Sequence, residues 1–395
     1  MADLRPARPR SFYIPALDGL RVLACLMVFA HHGLPNSLNG RVSPAVDGWW
    51  HALIDFGAYG VTIFFALSSF LITRLLTMER EATGDINIRD FYLRRVLRIW
   101  PVYFFVVFLG AVVGPAIEGV PLGPALLLRF LTFNGNYAQV AGAQPPYAIG
   151  ILWSVCVEEQ FYLVWPHVVK HCRGRALGVV LFLMLALGIG SRWFVASHGG
   201  GWPQIWFNSL CQLDCFAWGA GAALLYGAGR LKLPAVVGNA IALTALGAGL
   251  VIAKACPLVN LHPGAVPILN AEAYAAMCFL GATITWAVAA CKDSVLGLGP
   301  ICRQGKFTYG LYCYHTLTLV IARWALNGHG VALTTVVWLG LTALVTTLSW
   351  NLLEQPFLNL KRRFQTVPSG APSPSRTSES EKATQLPAMA VKDHG

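Results

Sequence analysis

The stretch LDGLRVLACLMVFAHH, residues 17–32, is apolar enough for a membrane helix, yet it carries Asp18, Arg21, His31 and His32. On a helix, Arg21 and His32 lie eleven residues apart, within roughly 20° of one face and about 16 Å along it. One face then holds a cation near one end and an imidazole near the other. An imidazole can take the proton of a hydroxyl as a general base, or carry an acyl group itself. The alternative is that Arg21 snorkels to headgroups beside Asp18 while the histidines merely end the helix.

A second constellation is LWSVCVEEQFYLVWP, residues 152–166. Ser154, Glu158 and Tyr162 recur every four residues, so a hydroxyl, a carboxylate and a phenol share one helical stripe, with Glu159 on a neighbouring face. A carboxylate beside a helix-borne histidine orients the ring and stabilises its charged form, which acyl transfer to a neutral hydroxyl requires. Hydrogen-bonding glue between helices is the competing account. In FYLRRVLRIWPVY, residues 91–103, Arg95 and Arg98 share a face, as do Arg94 and Arg98. These are forked donors suited to phosphate, or else a positive anchor with Trp100 and Tyr103 as interfacial aromatics. Asp214 and His315 also sit in apolar segments, as supporting polar groups or as satisfied members of the bundle. Glu354, two residues before a proline, reads as a helix terminus.

The elements that must position these groups follow from composition. The 395 residues are 56% hydrophobic and 12% charged, against roughly 45–50% and about 25% in soluble domains. Apolar runs of about 20 residues, each long enough to cross hydrocarbon, recur from Leu17 to Leu353. We expect an all-α, polytopic bundle of about ten spans near 15–33, 52–76, 97–117, 149–169, 176–196, 205–227, 235–254, 268–290, 307–326 and 332–354. Residues 1–363 form one membrane domain, and the Ser/Pro/Ala-rich stretch 364–395 reads as a disordered cytoplasmic tail. PALLLRFLTF, within 118–150, is too short to span and reads as re-entrant or interfacial. The ten cysteines include no CxxC pair, so neither a metal site nor a disulfide framework is expected, and Cys211 and Cys215 read as buried thiols on one helix face.

The net charge of +11 invites a nucleic-acid partner, but its placement argues for topology. With the N-terminus inside, twenty Lys and Arg fall in the inner segments, against five outside: Arg41, Arg129, Arg192, Lys254 and Arg323. That bias places both termini in the cytoplasm and makes the number of spans even. Arg5, Arg8 and Arg10 precede a retained signal-anchor helix, since no small-residue cleavage site follows Ala30.

Taken in order, LDGLRVLACLMVFAHH, GVTIFFALSSFLI, FYLRRVLRIWPVY, WSVCVEEQFYLVWP, GKFTYGLYCYH and LSWNLLEQPF resemble the acyltransferase-3 family of integral membrane O-acyltransferases. That family modifies sugars and other hydroxyl compounds using acyl-CoA. The resemblance covers the chain up to Arg363. It implies that the family's Arg and His fall on Arg21 and His32, favouring His32 over His31, its arginine pair on Arg95 and Arg98, and its Trp-Ser-motif glutamate on Glu158. One departure is Ser68-Ser69-Phe70 where the family has Ser-Gly-Phe, which loosens a close backbone contact. Some relatives carry an appended extracytoplasmic hydrolase-like domain, and with only a short stretch after Arg363 none is expected here.

The expected function is therefore transfer of a short acyl group, with acetyl the leading choice, from acyl-CoA to a hydroxyl of a cell-surface glycan, glycolipid such as a lipid-linked sugar, or secreted small molecule. His32 and Glu158 would be catalytic, Glu158 orienting His32; Arg95, Arg98 and Arg21 would bind the donor; Asp18, Ser154, Tyr162, Asp214 and His315 would support them. Acyl-CoA is a co-substrate, no cofactor or metal is bound, and the setting is the inner (plasma) membrane, with no nucleic-acid partner. The competing function is a transporter or flippase using His and Glu as a proton relay, though the sequence shows none of the internal symmetry such proteins carry. Reporter fusions after Arg41 and after Arg363 should report opposite sides of the membrane; the same side for both would overturn the topology.

Overall fold

The structure, a computed structural model, describes residues 11–38, 40–229, 232–257 and 266–368. Among them the chain is helical, with no strand beyond one isolated bridge between Leu233 and Cys291. Eleven helices of fifteen residues or more carry the bundle: α1 Pro15–Gly33, α2 Pro44–Ala58, α3 Gly60–Thr83, α4 Ile88–Val113, α5 Trp153–His171, α6 Arg175–Ser197, α7 Leu213–Gly227, α8 Ala235–Ala255, α9 Ile268–Ala290, α10 Thr308–Ala325 and α11 Val331–Ser349. Their ends obey local rules. Proline opens α1 and α2 where its missing N–H costs nothing, the Asn87 side chain caps Asp90 N–H at α4 (3.0 Å), and Gly84, at φ 84°, ends α3.

Six segments are long and apolar enough to cross a membrane: Pro44–Thr83, Ile88–Glu118, Arg175–Ser197, Ala235–Ala255, Ile268–Ala290 and Val331–Phe364. Those criteria leave out α1, α5, α7 and α10, the helices that carry Arg21 and His32, Glu158, Asp214 and His315. They differ because they have exchanged apolar for polar side chains, or, as in α7, are short. Several expected boundaries also move. The expected span 52–76 divides at Tyr59 between α2 and α3, 149–169 begins only at Trp153 after a separate turn Tyr147–Gly150, and 205–227 begins at Leu213 after two short helices. PALLLRFLTF supplies an eight-residue helix, Pro124–Leu131, that buries Phe130 and exposes Leu128.

Three of the expectations need correction. The structure bonds Cys215 to Cys278, stapling α7 to α9, where no disulfide was expected; residues 63 apart in sequence give no local signal. Arg192, counted among the five outer charges, is 1% exposed in α6 and makes a bidentate ion pair with Asp214 while its guanidinium lies 5.0 Å from the Tyr274 ring. Residues 364–368, assigned to the tail, pack back: Phe12 N–H donates to Pro368 O (2.9 Å) and Val367 is buried. The remainder of that tail, 369–395, lies outside the described residues. Asp214, Cys215 and Cys278 are near enough to share an ion, but the sulfurs are bonded to each other and the carboxylate to Arg192. A loop pair, Lys170 to Asp85 (2.8 Å), holds the end of α5 against the α3–α4 connection, and the lysine's hydrogen bond lowers the Asp85 carboxyl below its usual range.

The Ser69 departure is explained by its neighbour. Ser69 is fully buried, its hydroxyl donating to Ala66 O (3.0 Å), and Gly219 of α7 faces it with no side chain. A Cβ at Gly219 would overlap Ala66 O and Ser69 Oγ, so glycine on α7 makes room for the hydroxyl on α3. Gly219→Ala should therefore cost about 1–3 kcal/mol by overpacking and lower the melting temperature in detergent. Gly221→Ala, where nothing lies within 4 Å, should leave it unchanged; equal effects would refute the close contact.

Candidate active site

Two cavities meet opposite ends of α1. The first, about 200 Å³, is lined by Asp18 and Arg21 of α1, Ser68 of α3, Arg95 and Arg98 of α4, Ser154, Glu158 and Tyr162 of α5, and Lys361. The four-residue spacing on α5 thus does place hydroxyl, carboxylate and phenol in one cavity. Tyr162 O–H donates to Glu158 Oε2 (3.1 Å) and its oxygen is also bonded to Ser68 Oγ, while Ser154 Oγ meets the Tyr312 hydroxyl at 2.5 Å. Glu159, on the neighbouring face, accepts from Trp100 Nε1–H (2.9 Å).

The arginines divide. Arg21 is ion-paired with Asp18 one turn back. Arg94, although beside the others in sequence, turns away to Glu79 (3.0 Å) and Phe364 O (2.7 Å), and so serves the packing. Arg95 has a buried Nε with no hydrogen-bond partner and lies 5.6 and 5.7 Å from the Phe91 and Tyr162 rings. Neither Arg95 nor Arg98 has a carboxylate partner among the described residues. Partly buried cations without carboxylate partners are costly, so their convergence on one cavity favours a ligand with several negative charges.

The second cavity, about 860 Å³, is lined by His31 and His32, with Tyr147, Trp153, Trp206 and Arg323 among its walls. His31 Nδ1–H donates to Ile54 O (3.0 Å), tying α1 to α2. The His32 ring is set differently. In the neutral ring its Nδ1–H donates to Val28 O (2.9 Å), because a carbonyl can only accept. His315 Nδ1–H likewise donates to Tyr312 O (2.6 Å), which leaves His315 Nε2 a bare acceptor, 3.3 Å from His32 Nδ1. Both contacts fix the proton of His32 on Nδ1 and leave its Nε2 lone pair free, with no partner among the described residues. Phe29 stacks on His315 at 4.8 Å and Trp338 Nε1–H donates to His315 O (2.8 Å), so the orienting ring is itself held. Glu118 accepts from Tyr147 N–H (2.6 Å) and Ala148 N–H (3.1 Å), placing the Tyr147 ring 6.2 Å from His32.

This arrangement corrects one expectation and redistributes others. Glu158 does not touch His32: the two line different cavities, and the ring against His32 is His315 of α10. Asp214 lines neither cavity; its pairing with Arg192 makes it a structural residue. Val61 borders both cavities, so only a thin wall of α3 and of residues 151–155 separates them. Sequence reading missed Ser68, Tyr312, Arg323 and Lys361 as cavity residues. Each sits in a pattern with a common structural meaning: Ser68 is a small residue in a helix, Tyr312 an aromatic within an apolar helix, and Arg323 and Lys361 charges at helix ends. Glu354, read as a terminus, is 6% exposed with Oε1 unpartnered, in a π-turn at the foot of α11.

Comparison with known proteins finds relatives across most of the chain. A Bacillus subtilis (strain 168) protein named "Putative peptidoglycan O-acetyltransferase YrhL" is 26% identical over 378 residues, covering 87% of this chain and 55% of that protein. "Putative O-acetyltransferase SACOL0978" of Staphylococcus aureus (strain COL) is 24% identical over 372 residues, covering 87% of this chain and 57% of its own. "Peptidoglycan O-acetyltransferase OatA" of Listeria monocytogenes serovar 1/2a is 29% identical over 197 residues, 47% of this chain and 29% of that protein. The chain thus spans little more than half the length of the first two. No solved structure matches it significantly. The family model described as "Acyltransferase domain" matches residues 14–354, which takes in the histidine cavity and all of the basic cavity's lining except Phe12, Tyr13 and Lys361, and the chain belongs to the acyltransferase-3 family of membrane acyltransferases.

Proposed function

We propose that this protein transfers an acetyl group from acetyl-CoA, held in the basic cavity on the cytoplasmic side of the plasma membrane, to a hydroxyl of a cell-surface glycan in the histidine cavity on the far side. The observation that carries the reading is His32: a ring whose Nδ1–H is committed to Val28 O and His315 and whose Nε2 is free in a cavity of about 860 Å³. That is the protonation pattern a general base requires. Nε2 takes the proton of the acceptor hydroxyl as the hydroxyl oxygen attacks the thioester carbonyl carbon; the carbon–sulfur bond breaks, and the thiolate of CoA leaves with that proton from His32, which returns the ring to its neutral form. Arg95 and Arg98, unpaired by carboxylates, bind the donor's phosphates. The names of the relatives support acetyl as the group and peptidoglycan, or a similar wall glycan, as the acceptor. Walls of Tyr147, Trp153 and Trp206 suit the apolar faces of sugar rings.

Purified protein in detergent should release CoA from acetyl-CoA only when a glycan acceptor is supplied; no release with any wall-glycan acceptor would refute the reading. His32→Ala should lower transfer by about 10²–10⁴-fold, the usual contribution of a general base. His31→Ala, which removes the bond to Ile54 O and a ring contact with His32 but no hydrogen bond to it, should keep most of it. His315→Phe removes the acceptor facing Nδ1 and should reduce turnover without weakening donor binding. Arg95→Ala and Arg98→Ala should each weaken donor binding by roughly ten- to a hundredfold, with lysine rescuing only in part because it lacks the fork. Transfer surviving His32→Ala but lost in His31→Ala would overturn the assignment.

A further inference from the structure

The sequence KRR, residues 361–363, ends the last apolar segment with three cations that a topological reading treats alike. The structure separates them. Arg362 and Arg363 are exposed, whereas Lys361 is 6% exposed and lines the basic cavity. The charges acting most strongly on Lys361 are of its own sign: Arg98, Arg95, Arg94 and Arg21. It has neither a hydrogen bond nor an ion pair among the described residues. Of the carboxylates lining the same cavity, Asp18 is committed to Arg21 and Glu158 to Tyr162. A lysine needed only to mark the inner side of the membrane would reach water, as its two neighbours do. Burying its ammonium among arginines is unfavourable unless a polyanion joins them.

The chain spends contacts to put it there. Arg94, fixed by Glu79, donates to Phe364 O (2.7 Å), and Phe12 N–H donates to Pro368 O (2.9 Å), so the segment after α11 folds back across the end of α4 and α1. Phe12 and Tyr13, also cavity residues, come in with it. All three lie outside residues 14–354, the part matched by the family model.

We infer that Lys361 is a phosphate-binding residue of the basic cavity, completing with Arg95 and Arg98 a set of three unpaired cations for a ligand that carries several phosphates. This rests on the acyl-CoA reading above, since CoA carries a diphosphate and a ribose phosphate. The test is equilibrium binding of CoA to the full-length protein in detergent. Lys361→Met should weaken CoA binding by roughly ten- to a hundredfold, as expected for losing a charge-assisted hydrogen bond, and Lys361→Arg should restore most of it. Arg362→Met and Arg363→Met should bind as the unsubstituted protein does. If the unsubstituted protein binds no CoA, the donor reading falls and this inference with it. If that protein binds CoA and Lys361→Met binds it equally well, the inference alone falls. Should Lys361→Met fail to fold, amine-reactive labelling of the unsubstituted protein decides: CoA should suppress labelling of Lys361, and unchanged labelling would overturn the assignment.

Discussion

A charged or hydrogen-bonding group inside a membrane bundle must find its partner within the protein, because hydrocarbon offers none. That constraint sorts the helices here. The segments Arg175–Ser197, Ala235–Ala255 and Val331–Phe364 bury only 17–22% of their most apolar stretch and present the rest outward. The helices bearing Asp18, Arg21, His32, Glu158 and His315 are too polar for that position and pack where protein atoms can answer them. The chemistry therefore sits in the bundle's interior because lipid excludes it from the outside.

Within that interior, some polar groups are answered completely and others are not. Arg192 and Asp214 satisfy each other bidentately, and Arg94 is shared between Glu79 and Phe364 O. Breaking such a pair leaves a buried charge alone, which makes them structural. Arg95, Arg98 and Lys361 converge without anionic partners, and His32 keeps one nitrogen free. These groups lie in two cavities, at the two ends of α1. The unanswered groups are the ones a ligand would meet.

The two-histidine arrangement shows how a single helix face misleads. On α5, Ser154, Glu158 and Tyr162 do share a stripe, as their spacing requires, but a stripe says nothing about the helix it faces. Glu158 meets Tyr162 and the basic cavity; His315, which on α10 looks like any satisfied polar residue, supplies the contact to His32. The substitution is chemically apt. A neutral imidazole whose Nε2 accepts can fix the tautomer of a second ring without adding a negative charge to the apolar interior.

The sequence by itself determined the helical class, the apolar runs, the one-sided distribution of Lys and Arg, and the helices on which the reactive groups sit, because composition and the 3.6-residue period are local properties. It also determined that Arg21 and His32 share a face some 16 Å apart, since that follows from one helix alone. Which helices touch was decided only in the tertiary structure. The Cys215–Cys278 bond, the Arg192–Asp214 pair, the accommodation of Ser69 by Gly219, the approach of His315 to His32 and the burial of Lys361 but not Arg362 all join segments far apart in the chain. The same residues in the same order permit many helix pairings. Only the packing of the assembled helices selects one, and that selection is a property of the whole bundle, carried by no single segment of it.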